Sequence, residues 1–380
     1  MKLLLTGGHM APALAIIQHL SKETEVVYAG RKHAFEADSG VSLEYKTITE
    51  IGIPFIPLRA GRLQRKLSFQ TIPSLLKIPM GLIQAMGILK KEKPDAVLGF
   101  GGYLSVPVGI AAFLLGIPLI IHEQTTRAGL ANKVLAPFAQ KICISWESSR
   151  SFFPKNKTVL TGNPILTFLK KAPKNLFPVS EEKLPLLVIV GGSAGSHAIN
   201  QLVEESLESL LTKYKVFHQT GNAEEFGDFD ELQAKVKILP EKLQERYSVT
   251  KFIDPGIVGD VYAKADIVIS RSGINTISML LTLQKPALLI PLPYGQHNEQ
   301  QTNAELFEAS GLGYILPQQT ATPSLFAEAT TAMIEKLSEY TLKKEFPQVV
   351  DAPEHILEVV SLCIKTKQFK NEKSANMFHK

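Results

Sequence analysis

Leu186-Leu187-Val188-Ile189-Val190-Gly191-Gly192-Ser193-Ala194-Gly195-Ser196-His197-Ala198-Ile199-Asn200 carries the fold assignment. Its opening run of apolar residues reads as a strand covered on both faces, the pattern of a parallel sheet. The glycines permit a tight turn and a close backbone approach, and the free N–H groups of the helix starting near His197 attract an anion. The spacing is neither G-x-G-x-x-G nor a P-loop, because no Gly-Lys-Ser/Thr follows. An ordinary tight strand-to-helix turn is the less favoured alternative. The pattern recurs near the start of the chain, where Leu3-Leu4-Leu5 runs into Thr6-Gly7-Gly8-His9-Met10-Ala11-Pro12 and an amphipathic helix.

Outward from these two turns, apolar runs of strand length alternate with helical patterns at residues 2–5, 25–28, 96–99, 119–122, 141–145 and 158–160. The rhythm restarts at 186–190, 215–218, 250–253, 266–270 and 286–291. Such alternation is the mark of parallel sheets with crossover helices. Between the two series, Lys170-Lys171, Pro173, Pro178 and the run Glu181-Glu182-Lys183-Leu184-Pro185 have the composition of a connection. Two tandem α/β domains with Rossmann-like parallel sheets are expected, residues 1–163 and 164–345, with 346–380 a helical tail packing back on the N-terminal domain. In open parallel sheets ligands bind beyond the carboxyl ends of the strands, so the site is expected in a central cleft that the two domains face.

At 380 residues the chain suits two domains, and with 45% hydrophobic and 20% charged residues it can bury sizeable cores. The net charge of +5 is below that of a dedicated nucleic-acid binder and compatible with an anionic membrane surface. Cys143 and Cys363 are the only cysteines and form no C-x-x-C pair, against a disulfide framework or cysteine-ligated zinc. The apolar start is too short for a signal peptide, and the longest apolar stretch, 108–121, is broken by Gly109, Gly116 and Pro118. Neither export nor a transmembrane helix is expected.

Polar and glycine-rich turns recur at the ends of the expected strands. His9 sits beside the positive end of a helix, which disfavours its imidazolium and suits it to accept a proton, or else it only hydrogen-bonds within the turn. Gly99-Phe100-Gly101-Gly102-Tyr103-Leu104-Ser105 and His122-Glu123-Gln124 end two further strands. Arg271-Ser272-Gly273 closes another. Gln296-His297-Asn298-Glu299-Gln300-Gln301 offers amides, which suit sugar hydroxyls because each has donors and an acceptor. Residues 59–93 mix Arg62, Arg65, Lys66, Lys77, Lys90, Lys91 and Lys93 with apolar side chains, fitting a membrane contact or a packed helix with a basic face. Pro73 and Pro79 argue against one uninterrupted helix there.

Taken in order, Thr6-Gly7-Gly8-His9 with Pro12-Ala13, Gly101-Gly102-Tyr103 with Ser105 and Pro107, His122-Glu123-Gln124, Ala128-Gly129 with Asn132-Lys133, Gly162-Asn163-Pro164, Gly191-Gly192-Ser193 with Gly195, Arg271-Ser272-Gly273 and Gln300-Gln301 with Asn303-Ala304 strongly resemble the MurG family of peptidoglycan glycosyltransferases. The family moves GlcNAc from UDP-GlcNAc onto lipid I to give lipid II. The resemblance implies a GT-B fold, an inverting single displacement without metal or cofactor, and a peripheral place on the cytoplasmic face of the inner membrane. It implies UDP-GlcNAc as donor, lipid I as acceptor, an anionic membrane surface and cell-wall synthesis proteins as partners, and no nucleic acid. By motif position it places Thr6, Gly7, Gly8, Gly101 and Gly102 at the acceptor diphosphate. Gly192 and Ser193, with Arg271 and Ser272, fall at the donor. Phe252 and Ile253 fall at uracil, Gln300 and Gln301 at GlcNAc, and His9, Tyr103, Glu123 and Asn132 at the reacting groups, with His9 or Glu123 as general base and Thr125 among the substrate-binding residues.

Three positions depart from the family pattern. Thr125 follows His122-Glu123-Gln124 where the family has Asn, Leu166 stands where Gly-Asn-Pro-Val-Arg has Arg, and Met279 replaces the glutamate after Arg-Ser-Gly-x-x-Thr. The lost arginine and glutamate resemble contacts to the donor phosphate and ribose, so weaker donor binding is expected. Two alternatives follow: a GT-B transferase with a changed donor or lipid acceptor, and a relative that binds nucleotide sugar without turnover. Retention of His9, Tyr103, Glu123, Asn132, Ser193 and Gln300 argues against the second.

Overall fold

The structure, a computed structural model, describes residues 1–33, 41–58, 71–166, 170–192, 195–222, 224–294, 298–344, 346 and 351–378. The chain divides into two units, Met1–Ile165 with Gln348–Lys380, and Leu166–Pro347.

In the first unit the strands are β1 (Lys2–Thr6), β2 (Glu25–Gly30), β3 (Phe55–Pro57), β4 (Ala96–Gly99), β5 (Leu119–Glu123), β6 (Lys141–Ile144) and β7 (Thr158–Leu160). They pair in parallel in the order β3-β2-β1-β4-β5-β6-β7. Helices α1 (Met10–His19), α2 (Leu43–Glu50), α3 (Thr71–Glu92), α4 (Ser105–Leu114) and α5 (Leu130–Leu135) connect them. Leu3, Leu4, Leu5, Val97, Leu98, Ile120 and Ile121 are fully enclosed, which is why these runs lack polar alternation. The chain steps outward from β1 to β3 and then restarts at β4 on the other side of β1. The reversal leaves a crevice beyond the carboxyl ends of β1 and β4.

The second unit repeats this plan with β8 (Leu186–Val190), β9 (Lys215–Gln219), β10 (Tyr247–Thr250), β11 (Ile267–Ser270), β12 (Ala287–Leu289) and β13 (Gly313–Ile315) in the parallel order β10-β9-β8-β11-β12-β13. Its reversal lies between β8 and β11. Its helices are α6 (His197–Lys213), α7 (Asp228–Lys237), α8 (Glu241–Gln244), α9 (Val258–Lys264), α10 (Ile274–Thr282), α11 (Glu299–Ala309) and α12 (Pro323–Glu335). Ile199, Leu202, Val203, Leu207, Leu210 and Leu211 give α6 a buried stripe at helical spacing, packed with Leu187, Ile189, Ile267, Ile269 and Phe326. The last helix, α13 (Ala352–Phe378), belongs to the first unit and packs on α1, β4 and β6. Among the described residues no helix is long and apolar enough to cross a membrane.

The elements depart from the sequence reading in three places. The strand expected at 250–253 lies at Tyr247–Thr250, in register with Val216 to Gln219 of β9, so Phe252 and Ile253 belong to the loop that follows it. The short edge strands β3 and β13 were not expected, because Phe55-Ile56-Pro57 carries a proline and Gly313-Tyr314-Ile315 a glycine, residues that disfavour a strand. α3 is one helix in spite of its prolines. Pro73 lies in the first turn, where an N–H has no acceptor within the helix, and Pro79 removes a single bond.

A polar group buried at β9 stabilises the second unit conditionally. His218 is fully buried, with Nε2 3.1 Å from Asn200 Oδ1 and Nδ1 2.9 Å from the Tyr247 hydroxyl. Because the Asn200 amide nitrogen is committed to Thr220 O (3.0 Å) and Asp228 Oδ2 (2.6 Å), its oxygen accepts from Nε2–H, and Nδ1 accepts from the hydroxyl. The ring is therefore neutral, and burial pushes its pKa down to about 3. Below its ordinary value of 6.5 the unfolded chain takes up a proton that the folded chain refuses, so stability is complete above that pH and falls as pH drops toward 3. By pH 5 His218 alone should cost on the order of 2 kcal/mol. Thermal melts should show Tm falling between pH 7 and pH 5, and His218→Gln, which cannot titrate, should flatten the slope; an equal slope in the variant would assign the acid sensitivity elsewhere.

Candidate functional site

In the first unit the turns that follow β1 and β4 lie backbone against backbone. Phe100 N donates to Thr6 O (2.8 Å) and Gly8 N to Gly101 O (3.0 Å). A Cβ at Gly7 would sit 2.9 Å from the Phe100 backbone, and one at Gly102, where φ is +77°, only 2.6 Å from Gly8 N. Glycine is required at both for that reason. α1 starts at once from this junction, with His9 at its N-cap.

His9 keeps an exposed edge, yet its surroundings withdraw solvent from the imidazolium. That desolvation lowers its pKa below the ordinary value, and the negative charge of Glu123 opposes it. A Cβ at Gly101 would lie 3.5 Å from Asn132 Nδ2 and 3.8 Å from His9 Cδ2, so this bare glycine brings the two side chains to one place. Tyr103 is half-buried and packs against the core of the unit. Thr6 is enclosed at the end of β1, and its hydroxyl has no hydrogen-bond partner among the described residues.

Glu123, the last residue of β5, is buried with both carboxylate oxygens filled. Oε1 accepts from Thr125 N (3.1 Å) and Thr125 Oγ1 (2.6 Å), and Oε2 from Gly129 N (2.8 Å) and Asn132 Nδ2 (2.9 Å). Thr125, where the family pattern has Asn, thus supplies two of these donors. Gly129 is the N-cap of α5, so the carboxylate also meets that helix's positive end. Asn132 Nδ2 donates further to His122 O (3.0 Å), and its Oδ1 is buried with no partner among the described residues. His122 beside it is fully desolvated, with its pKa pushed down to about 4.

In the second unit the switch point between β8 and β11 brings the glycine turn beside Arg271. Ser196 caps α6, its Oγ accepting from Ile199 N (3.4 Å) and from Arg271 Nη2 (2.6 Å). Arg271 Nη1 donates to Ile290 O (3.0 Å). The guanidinium is buried, has no acid partner among the described residues, and is pushed down to about 10 by desolvation alone. A buried cation held by neutral groups at the start of a helix is a place for an anion. At Gly192, φ is +88° and a Cβ would meet nothing within 4 Å among the described residues, so this residue has an open side.

The remaining expected residues play unequal parts. Phe252 is exposed and Ile253 buried. Ser272 is enclosed, its hydroxyl donating to Gln300 O (2.7 Å). Gln300 Oε1 accepts from Leu292 N (2.9 Å), while Gln301 Nε2 donates to Glu305 along α11 (3.0 Å). Met279 lies half-buried on α10. Ser193, Gln296 and His297, and Arg62, Arg65 and Lys66 of the basic segment, lie outside the described residues. Among the described residues no cluster of three or more His, Cys, Asp or Glu could hold a metal ion.

Profiles of the glycosyltransferase family 28 N-terminal and C-terminal domains match residues 6–144 and 186–375. The chain belongs to glycosyltransferase family 28. It is 32% identical to the UDP-N-acetylglucosamine--N-acetylmuramyl-(pentapeptide) pyrophosphoryl-undecaprenol N-acetylglucosamine transferase of Clostridium botulinum strain Langeland, over 96% of this chain and 99% of that one. It is 35% identical to the second such transferase of Bacillus cereus, over 84% and 88%. The crystal structure of Acinetobacter baumannii MurG matches with a TM-score of 0.70 and 27% identity over 95% of this chain and 99% of that one. UDP-GlcNAc 2-epimerase from Neisseria meningitidis bound to UDP-GlcNAc, at 16% identity and a TM-score of 0.65, shares the fold. Family 28 membership and these neighbours make the two Rossmann-like units a GT-B enzyme, a UDP-GlcNAc-dependent glycosyltransferase.

Reading the motifs of this family 28 chain missed Ser196, which pins Arg271. The only local signal was its position between Gly195 and the helix, the usual place of an N-cap. Glu123→Gln sets an amide N–H₂ against donors, leaving at least one pair of N–H or O–H groups facing each other, at a cost of about 2 kcal/mol. Tm should drop by several degrees. An unchanged Tm would show that the carboxylate is free for other work.

Proposed function

We propose that the chain transfers GlcNAc from UDP-GlcNAc to the MurNAc 4-hydroxyl of lipid I, with inversion, giving lipid II for peptidoglycan synthesis. The observation that carries the donor half is the buried guanidinium of Arg271 at the start of α6, which meets no acid among the described residues. With Leu166 in place of the family's arginine, Arg271 is the cation that the second unit offers to a diphosphate. Gly192 and Ser193 join it there, Phe252 and Ile253 receive the uracil, and Gln300, held through its Oε1, presents its amide hydrogens to the sugar with Gln301 beside it.

On the acceptor side we assign the general base to His9. Its lowered pKa keeps it neutral at pH 7, whereas all the hydrogen-bond positions used on Glu123 are filled by the loop that it organises. His9 takes the proton of the 4-hydroxyl as the oxygen bonds to C1 of GlcNAc. The C1–O bond to UDP breaks with its electron pair, and Arg271 and the N–H groups of α6 meet the charge that develops on the diphosphate. Thr6, Gly7, Gly8, Gly101 and Gly102 hold the acceptor diphosphate against the start of α1, and Tyr103, Thr125 and Asn132 shape the acceptor face.

With purified protein, labelled UDP-GlcNAc and a lipid I analogue, His9→Ala should lower kcat about a hundredfold with UDP affinity retained. The acid limb of the wild-type pH profile should lie below pH 6.5 and disappear in the variant. Arg271→Gln should do the reverse, raising KM for UDP-GlcNAc about tenfold or more. Wild-type activity in both variants would remove these assignments.

We further assign the protein to the cytoplasmic face of the inner membrane as a peripheral protein. Support comes from Met80 and Ile83 on α3 and Phe113 and Leu114 on α4, exposed apolar side chains on two helices that pack together, with Lys90 and Lys91 at the end of α3. Ile83→Ser with Phe113→Ser should weaken binding to anionic vesicles while leaving UDP affinity unchanged; undiminished binding would detach this face from the membrane.

A further inference from the structure

We propose that Gln219 is a positioning residue for the donor diphosphate, the group that fastens the glycine turn after β8 and the loop after β10 to the end of β9. The inference rests on the reading of that turn as the diphosphate site.

Gln219 is the last residue of β9, paired with Val190 of β8 on one side and Thr250 of β10 on the other. Its side chain is buried, and Nε2 donates to Gly192 O at 3.1 Å and Lys251 O at 3.3 Å. Both partners are carbonyl oxygens, so only the amide nitrogen can face them and the orientation of the group is settled. Two hydrogens of one amide therefore reach two loops that depart from different strands. One leads into the turn beside Arg271, the other into Phe252-Ile253.

The turn needs such a tether. Gly192 has no side chain to pack, φ of +88°, and open space where a Cβ would be. Its carbonyl oxygen also accepts from Gly195 N (3.0 Å), a bond within the same segment that does not reach β9. Gly195 lies so tightly on the Thr220 backbone that a Cβ there would collide with Thr220 O, so the turn rests on the residue that follows Gln219. Gln219 supplies the directional bond to this contact. It draws the Gly192 oxygen toward the buried end of β9 and away from the open side, where a carbonyl dipole would repel phosphate oxygens. The arrangement aligns backbone dipoles before the ligand arrives, and so contributes to affinity without touching the ligand.

Gln219→Leu keeps the bulk and removes both donors, while Gln219→Glu keeps the shape and places a carboxylate against two carbonyls. UDP titrations should show Kd rising about tenfold in Gln219→Leu and further in Gln219→Glu, with KM for UDP-GlcNAc following and kcat within about threefold of wild type. Uridine, which carries no phosphate and senses only the lost Lys251 bond through Phe252-Ile253, should lose distinctly less than UDP, no more than about threefold. A protonated glutamic acid can donate one hydrogen, so the UDP affinity of Gln219→Glu relative to wild type should recover between pH 8 and pH 5. A merely structural residue would show no such recovery, and it would lower Tm and the affinities for uridine and UDP together. Unchanged UDP affinity in folded Gln219→Leu, or equal losses for uridine and UDP, would overturn the proposal; if Gln219→Leu does not fold, the pH dependence of Gln219→Glu decides. Failure of the wild-type protein to bind UDP would overturn the donor-site reading and this inference with it.

Discussion

The backbone of the turn after β1 touches the backbone of the turn after β4, and there is no room between them for a Cβ. That contact ties the carboxyl ends of the two central strands together at the point where the strand order reverses. A crevice beyond a reversal is where a parallel α/β sheet exposes main-chain N–H groups and a helix start to a ligand. The second unit is also tight at its glycines, but elsewhere: Gly191 presses on Ser196 in its own segment and Gly195 on Thr220 at the end of β9, not on the segment after β11. In both units glycines let main chain approach main chain beside a helix start.

The two charged side chains nearest these turns are buried to a similar extent and are treated in opposite ways. Glu123 is met by four donors and a helix N-terminus, so its charge is satisfied and the carboxylate works as a strut for the loop that carries Thr125, Gly129 and Asn132. Arg271 is held by a hydroxyl and a carbonyl but is opposed by no acid among the described residues, and desolvation lowers its pKa. A satisfied buried charge holds structure together, whereas an unsatisfied one is retained at a cost that a ligand can offset. On this ground the first unit holds a satisfied structural carboxylate beside His9, and the second a guanidinium that neutral groups hold, which is the basis of the roles proposed for His9 and Arg271.

Much of the architecture was legible in the amino-acid order alone. Unbroken apolar runs such as Leu3-Leu4-Leu5 and Leu186 to Val190 identified parallel strands buried on both faces, the double glycines marked where those strands turn, and the ordered motifs pointed to a transferase of the GT-B class. These signals are local, so a short window contains them. The short edge strands β3 and β13, the continuity of α3 through Pro79 and the true start of β10 at Tyr247 were not legible, because pairing with neighbours overrides weak local preference. Which titratable group is free was equally hidden. Glu123 and His9 look alike as candidate bases until the donors from Thr125, Gly129 and Asn132 are seen to close on the carboxylate. Arg271 meets Ser196 across 75 positions, and Gln219 reaches Gly192 across 27 and Lys251 across 32. Periodicity and turn chemistry follow from covalent neighbours, whereas the partner of a buried donor depends on which strands lie side by side, and only the folded sheets decide that.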